Sequence, residues 1–552
     1  MSTADTWKLL VFRDGRSLHS GPELLRGLIA QIEAVLSLAD FSNQFARDEV
    51  IDALLRAGEL ECALADHNAC STEASAIAES TDQLASALVT KSRPQISAKF
   101  AAAVRELHVP QSLTLSTPEG FCYYALHPLD YADVLATEVP LPPAAAVVGV
   151  RSIGSTLSAV VRAWLSSKGT AAERITVRPL GHPFNRHVSV TDNERTWIAA
   201  QNRQNAQFFV VDEGPGLSGS SFLAVAEALV EEGVPAERII LMPSSTPNLD
   251  SLFAPNAAQR WRRFRTIALK PTRFVPEASE YIGGGAWRSR VFDSEADWPG
   301  VWPWTERQKY ISRNGNSIFR FNGHGHYGKT VRQRSQVLAN HGWGPQICPA
   351  EDGFSASAWL SGTRLDSANR EVVTHLAQYC AFRTEHLRSR VVSESELEHM
   401  AQINLERALG VSRQIKLPVE RPVIADAHMM PYEWIVLKDG PLQKLDAADH
   451  GDNHFFPGPT DIAWDLAGAI VEWRLNAEAA DLLLNEYVQI SGDAVEKRLP
   501  DYLIAYSCFR MAFAQSAANS ISDLGEKCRL QQEATRYKTV VLKLLERSAA
   551  AP

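Results

Sequence analysis

The chain has no Cys-x-x-Cys pair, no long apolar run and no excess of basic charge, and each absence removes a class of function. Its seven cysteines, at 62, 70, 122, 348, 380, 508 and 528, are odd in number and scattered. That argues against a disulfide framework and fits reduced, mostly buried thiols. No segment reaches the ~18 continuous apolar residues of a membrane-spanning helix, so no membrane partner is expected. Residues 1–7 lack the charged-then-apolar design of a secretory leader, and the expected compartment is the cytoplasm. A net charge of −9 argues against broad nucleic-acid binding. The one basic run, at 259–265, has no aromatic-interleaved basic repeat around it and reads as a solvated helix face.

What is present is a soluble globular composition, 45% apolar and 22% charged, over 552 residues, enough for about three domains. Residues 1–110 read as helical: Leu24, Leu25, Leu28, Ile29, Ile32, Val35 and Leu36 recur at helical spacing, and Ala- and Ser-rich helices follow at 71–89 and 96–107. Nothing in this layer carries chemistry of its own. From 111 the pattern changes. A turn at Pro118 leads into an aromatic, strand-like run up to Pro128. Strands at 144–150, 174–178, 208–211 and 239–242 then alternate with helices at 157–166 and 222–232. This alternation implies a parallel sheet with right-handed crossovers. A zone rich in Pro, Gly and Trp places a boundary near 300. The expected architecture is multidomain, α/β plus α+β: a helical N-terminal layer at 1–110, a parallel-sheet domain at 111–300 and a helix-rich, two-lobed domain at 301–552.

The most chemical segment lies at 208–221. Phe208, Phe209, Val210 and Val211 run into Asp212 and Glu213, then into Gly214, Pro215, Gly216 and Leu217, and then Ser218, Gly219, Ser220 and Ser221 open a helix. Acids at the carboxyl edge of a sheet can hold ribose hydroxyls or a metal, and the free N–H groups of a helix start favour a phosphate. A second strand-loop-helix, with Arg151, Ser152, Gly154 and Ser155, lies about 60 residues upstream. Between the two, Arg178 and His182 sit in a Pro- and Gly-shaped loop. The order of these elements resembles the type I phosphoribosyltransferases, although four residues rather than three separate the acid pair from Ser218. The resemblance implies that Asp212 and Glu213 act on the ribose hydroxyls, directly or through Mg²⁺, and that Gly216, Ser218, Gly219, Ser220 and Ser221 cradle the 5′-phosphate. Arg151, Ser152, Gly154, Ser155, Arg178 and His182 would hold the diphosphate or substrate. The implied partner is phosphoribosyl pyrophosphate or a related ribose phosphate.

Beyond 301 a different set of motifs appears. Ser317 to Phe321 form a strand carrying Arg320, a helix follows at 329–340, and Asp426 and His428 lie in a loop before the strand 434–436. Gln443, Lys444, Leu445 and Asp446 come next, and then Asp461 and Asp465, four apart, at a helix start. This succession resembles the aminoglycoside and choline kinase-like phosphotransferases. It implies ATP as a partner, Arg320 on the nucleotide phosphates, Asp426 as the base for a substrate hydroxyl, Asp446 on Mg²⁺, and Asp461 and Asp465 as braces of the loop. Two departures stand out: arginine replaces the family's lysine at 320, and Pro431 stands where its second metal ligand, an asparagine, is expected. The alternatives are a regulator that binds nucleotide without transfer, and a kinase-like lobe acting alone with the α/β domain as its recognition module. A separate metal site within Asp446, Asp449, His450, Asp452 and His454 is a further reading of the same residues. The acceptor and the oligomeric state are not written in the sequence.

Overall fold

The computed structural model describes residues 9–11, 16–138, 140–216, 218–269, 278–390, 394–438, 440–453, 455–456 and 458–550. The fold is mixed α/β and rich in helices. Five parallel strands form one sheet in the spatial order Ala171–Val177, Ala144–Val150, Gln207–Val211, Ile239–Met242, Arg265–Thr266. Val147, Phe209 and Val211 enter one core and Val148, Phe208 and Val210 the other, as alternating side chains of a doubly covered sheet must. The first strand lies between the second and the third, so the winding reverses at the carboxyl ends of Ala144–Val150 and Gln207–Val211. Open α/β sheets bind ligands in the crevice at such a reversal.

One sheet face is covered by the helix Ile153–Ser167 and, beyond it, by Gln44–Asn68 and Thr72–Thr90, whose Leu54, Leu64, Ile77 and Leu84 share its core. The helical residues expected at 1–110 are thus the second layer of the α/β unit. Side-chain caps start these helices, Asn43 bonding to Ala46 N and Ser71 to Ala74 N. A buried arginine on the sheet, Arg174, ties the layers together through Glu61 (2.7 Å) and Asp82 (2.5 Å). The other face carries Asp192–Arg203, begun by a Thr191/Glu194 capping box, and Ser220–Glu231.

The C-terminal part has a five-stranded antiparallel sheet in the order Ala278–Tyr281, Lys309–Ser312, Ser317–Phe321, Phe354–Ala358, Ile347–Pro349, with the helix Gly325–Asn340 beside it. A smaller sheet of Gly362–Arg364, Trp434–Leu437 and Leu442–Lys444 and a set of long helices follow, packed around Tyr379, Trp434, Trp464 and Tyr506.

The structure departs from the sequence expectations at three places. Ala278–Tyr281 pairs with Lys309–Ser312, so residues on both sides of 300 build one sheet. Within the Pro-, Gly- and Trp-rich zone Trp302 is buried in the core, while Trp304 at its end stays exposed. The run after Pro118 forms no strand: the Pro118 carbonyl accepts from Phe121 N and Cys122 N and starts a short helix, Glu119–Cys122. Its aromatic neighbours then diverge, Phe121 meeting His324 and Tyr124 meeting Trp304. Finally, residues 9–11 dock on the C-terminal part, where Asn404 bonds both the N–H (2.7 Å) and the carbonyl (2.9 Å) of Leu10. A second bridge runs through Asp52, which accepts from His326 N and Lys329 Nζ, both at 2.9 Å.

Candidate functional site

Two places gather the chemistry. At the sheet reversal, Asp212 and Glu213 leave the strand Gln207–Val211 and face the start of Ile153–Ser167. Gly154 permits this closeness, since a Cβ there would lie 2.7 Å from the Val211 carbonyl oxygen. The Glu213 N–H donates to Asp212 Oδ1 (2.8 Å), and Gly120 N donates to Glu213 Oε2 (3.0 Å). Among the described residues neither carboxyl group has an ion-pair partner. Burial therefore dominates and pushes the Asp212 carboxyl up to about 7 and that of Glu213 to about 8, the latter aided by Glu119. Ser152, at φ 123° and ψ −120°, holds a backbone conformation rare outside glycine, a strain of about 1–3 kcal/mol of the kind that clusters at ligand sites. The buried Ser155 hydroxyl has no hydrogen-bond partner among the described residues.

The other expected ligands of this site are engaged within the protein. Arg151 donates to Thr176 O (3.1 Å) and Ala65 O (3.2 Å), and Arg178 donates to Arg151 O (2.7 Å) and Asp66 Oδ1 (3.1 Å). Both guanidinium groups thus turn toward the end of Gln44–Asn68, a partner far away in sequence. Ser218 and Ser220 donate to Pro183 O at 2.8 and 2.6 Å, and Arg186 donates to Ser221 Oγ at 3.2 Å. The hairpin Leu180–His182/Asn185–His187 therefore lies on the serine loop, with His182 exposed and stacked edge-on against Phe184. Gly216 and Gly219 take positive φ, which the turn into Ser220–Glu231 requires. Leu217 lies outside the described residues.

The second place is a cavity of about 300 Å³ between the antiparallel sheet and the helices. Arg307, Lys309 and Arg320 stand on one wall, and Trp287, Tyr432, Phe455 and Phe513 on others. Arg320 pairs with Asp446 and with Asp449 (2.6 Å), Arg307 with Asp449, and Lys309 with Asp446 (3.5 Å). Burial opposes ionisation of Asp446 and Asp449, but Arg320 with His450 and Lys309 outweighs it at Asp446, and Arg307 with Arg320 at Asp449, so both carboxyls are held below the usual range. His428 Nδ1 lies 2.5 Å from Glu433 Oε1 at the cavity surface.

Asp426, expected as the base, has no exposed surface. The Tyr379 hydroxyl donates to it, Lys444 Nζ lies at 3.3 Å and Arg383 at 3.6 Å, and the cavity wall beside it is Ala427 and His428. Burial is again outweighed, by Lys444, His450 and Arg383, and its carboxyl sits well below the usual range. In this geometry Asp426 is a buried anchor. Bracing of the loop is observed: Asp465 accepts from Asp426 N (2.8 Å) and Ala427 N (2.9 Å). Asp461 is not on the helix face with it. It lies in the strand Thr460–Asp461 and accepts from Glu420 N, Arg421 N and Arg498 Nε.

Nothing in the sequence marks Lys444 as a functional residue, and His450 stands out there only as a member of the possible metal cluster. Lys444 is fully buried, with Nζ bonded to His428 O (2.9 Å), Asp446 O (2.6 Å) and Glu433. Its one signal is a lysine at the end of a short strand, two residues before an acid. His450 Nε2 lies 3.5 Å from Asp446 Oδ2. A hard divalent cation needs several oxygen ligands free of other cations. Asp446 and Asp449 are already shared among Arg307, Lys309 and Arg320, so this donor set does not fit a resident Mg²⁺. Asp212 and Glu213, with no cation at bonding distance, do fit one. Of the wider metal cluster, His454 lies outside the described residues.

A short connection joins the two places. Besides Gly120 N on Glu213, the Glu119–Cys122 helix offers Phe121 O to His324 N (3.0 Å) and Cys122 O to Arg307 Nη1 (2.6 Å).

No family model matches the chain, and no curated protein matches it. Among solved structures, the chain is similar to the choline kinase LicA from Streptococcus pneumoniae, with 15% identity and a TM-score of 0.29 over 42% of this chain and 89% of that one. It is also similar to the macrolide 2′-phosphotransferase MphH from Brachybacterium faecium, with 12% identity and a TM-score of 0.29 over 42% and 88%. A third similar structure is an aminoglycoside phosphotransferase from Alicyclobacillus acidocaldarius, with 10% identity and a TM-score of 0.25 over 44% and 91%.

Proposed function

We propose that this protein is a transferase acting on small phosphorylated molecules, with a nucleotide bound in the cavity and a ribose phosphate at the sheet reversal. The observation that carries the reading is the cavity itself. Arg307, Lys309 and Arg320 supply charge for phosphate oxygens, and the facing aromatic rings supply a stacking surface for a base. His428, oriented through Nδ1 by Glu433, is the cavity-facing group suited to accept a hydroxyl proton, a role the anchored Asp426 does not reach. The acceptor oxygen would attack the terminal phosphorus, the bond to the nucleoside diphosphate would break, and the hydroxyl proton would pass to His428.

The sheet reversal supports a ribose-phosphate ligand. Two uncompensated carboxyls suit vicinal hydroxyls, and a Mg²⁺ held by Asp212 and Glu213 would neutralise a diphosphate there. The bound state requires the hairpin to release Ser218 and Ser220, whose hydroxyls it now occupies. We take the α/β unit with its helical layer to end between Leu269 and Ala278, where the shared core stops and the second sheet begins.

The test is calorimetric titration of the full chain with ATP and, separately, with phosphoribosyl pyrophosphate, followed by product analysis over a panel of small alcohols and nucleobases. ATP binding that Trp287→Ala weakens, together with phosphate transfer that His428→Gln lowers by about 10²-fold or more, is the expected result. Binding of ATP without any transfer would favour a nucleotide-binding regulator. Absence of ATP binding would overturn the reading of the cavity.

A further inference from the structure

We infer that Lys444 and Arg320 stand in for a divalent cation, so that the cavity binds a polyphosphate through the protein's own positive charges. This deepens the reading of the cavity as a nucleotide site and rests on it. Lys444 Nζ sits where the loop 424–433 meets the strand Leu442–Lys444, caged by oxygens of His428 (2.9 Å), Asp446 (2.6 Å), Asp426 (3.3 Å) and Glu433. Two of these are backbone carbonyls and two are carboxylates, the hard oxygen set that a small cation would choose. A lysine with no exposed surface survives only when its charge is compensated in this way. Being covalently tethered, it cannot be exchanged for an ion from solution.

Arg320 repeats the arrangement at the next pair of acids. Its two terminal nitrogens reach Asp446 and Asp449, and Arg307 and Lys309 approach the same two carboxylates from the other side. An incoming divalent ion would meet carboxylates already neutralised and three fixed cations around them. An incoming polyphosphate would meet those cations directly. Arginine suits this double duty, because its planar fork spans two acceptors at once.

The experiment is titration of the full chain with ATP in EDTA and in millimolar Mg²⁺. The expected result is binding in EDTA within about threefold of that in Mg²⁺, a small free-energy difference. Binding confined to the Mg²⁺ buffer overturns this inference and leaves the nucleotide reading standing. Absence of binding in both overturns the two together. Electron paramagnetic resonance of Mn²⁺ supplies a readout independent of nucleotide, made on an Asp212→Asn chain to break the other acid pair. No protein-bound Mn²⁺ that Asp446→Asn abolishes is expected, and finding one overturns the inference. Adding Arg320→Gln, which uncovers Asp446 and Asp449, should create bound Mn²⁺. A folded Arg320→Gln chain that still binds none shows that Arg320 was not holding an ion's place, and overturns the inference as well.

Discussion

Both candidate sites draw acids out of water, and they leave them in opposite states. At the sheet reversal Asp212 and Glu213 have no cation at bonding distance among the described residues, and burial, aided at Glu213 by Glu119, pushes their carboxyls up to about 7 and about 8. In the cavity Asp426 and Asp449 are buried more deeply still and Asp446 is half-buried, yet their cationic neighbours hold them ionised. Burial sets the cost of a charge, and the neighbours decide whether the protein keeps it. One site is left hungry for a cation or for hydroxyl hydrogens, and the other arrives already saturated.

The sharpest way to break the contrast is to remove the cation from the saturated site. Lys444→Met removes the cation shared by Asp426 and Glu433, leaving them Arg383 and His428, and should destabilise the C-terminal part by about 3 kcal/mol in urea denaturation. Arg320→Gln, at a partly exposed position with Lys309 and Arg307 still in place, should cost less, about 1–3 kcal/mol. The pH dependence should then have opposite signs in the two regions. Asp212 and Glu213 lie above the ordinary carboxylate range, so their folded region binds the extra protons. Its stability is full below pH 4 and falls as pH rises toward 7 to 8. The depressed carboxyls of the cavity stabilise above pH 4, and that stability is lost on acidification. Hydrogen exchange of the amides at 208–211 and at 434–437, followed across pH, separates the two slopes. A common slope would contradict the contrast. Asp212→Asn should flatten the first slope, changing stability little below pH 4 and raising it at pH 7, where the wild-type carboxyl at about 7 is half ionised. As a baseline, Arg105→Ala removes an exposed pair with Glu33 and should shift stability by no more than about 0.5 kcal/mol.

Much of this was legible in the sequence, for local reasons. The strands of the first sheet announce themselves as apolar runs, and the acids of 212–213 sit where a strand must end. Asp465 was readable as a brace because its offset from the helix start fixes where it can bond. The failures share a different cause. Arg151 and Arg178 look like anion ligands until Asp66 is brought beside them by packing of a helix more than 80 residues upstream. Asp426 looks like a free base until Tyr379 and Arg383 from one helix and Lys444 from a strand close on it. The zone near 300 looks like a linker because its Pro, Gly and Trp make turns, whereas Trp302 is core. Sequence pattern reports what a residue is able to do, and long-range partners determine whether it remains available to do it.

The helix Glu119–Cys122 has a consequence for how such an enzyme would work. With Gly120 on Glu213, and with Phe121 and Cys122 on His324 and Arg307, it is a party wall: one thickness of backbone serving two rooms. A side chain at 120 would lie 2.9 Å from Glu213, so the wall cannot be thickened. A ligand that draws Glu213 out of place would pull on the helix that also holds Arg307. Reciprocity requires the same energy to return when the other room fills first. If the partition transmits that push, ligand titrations made with the other chamber filled and empty would give different affinities, and occupancy rather than a diffusing intermediate would carry the message.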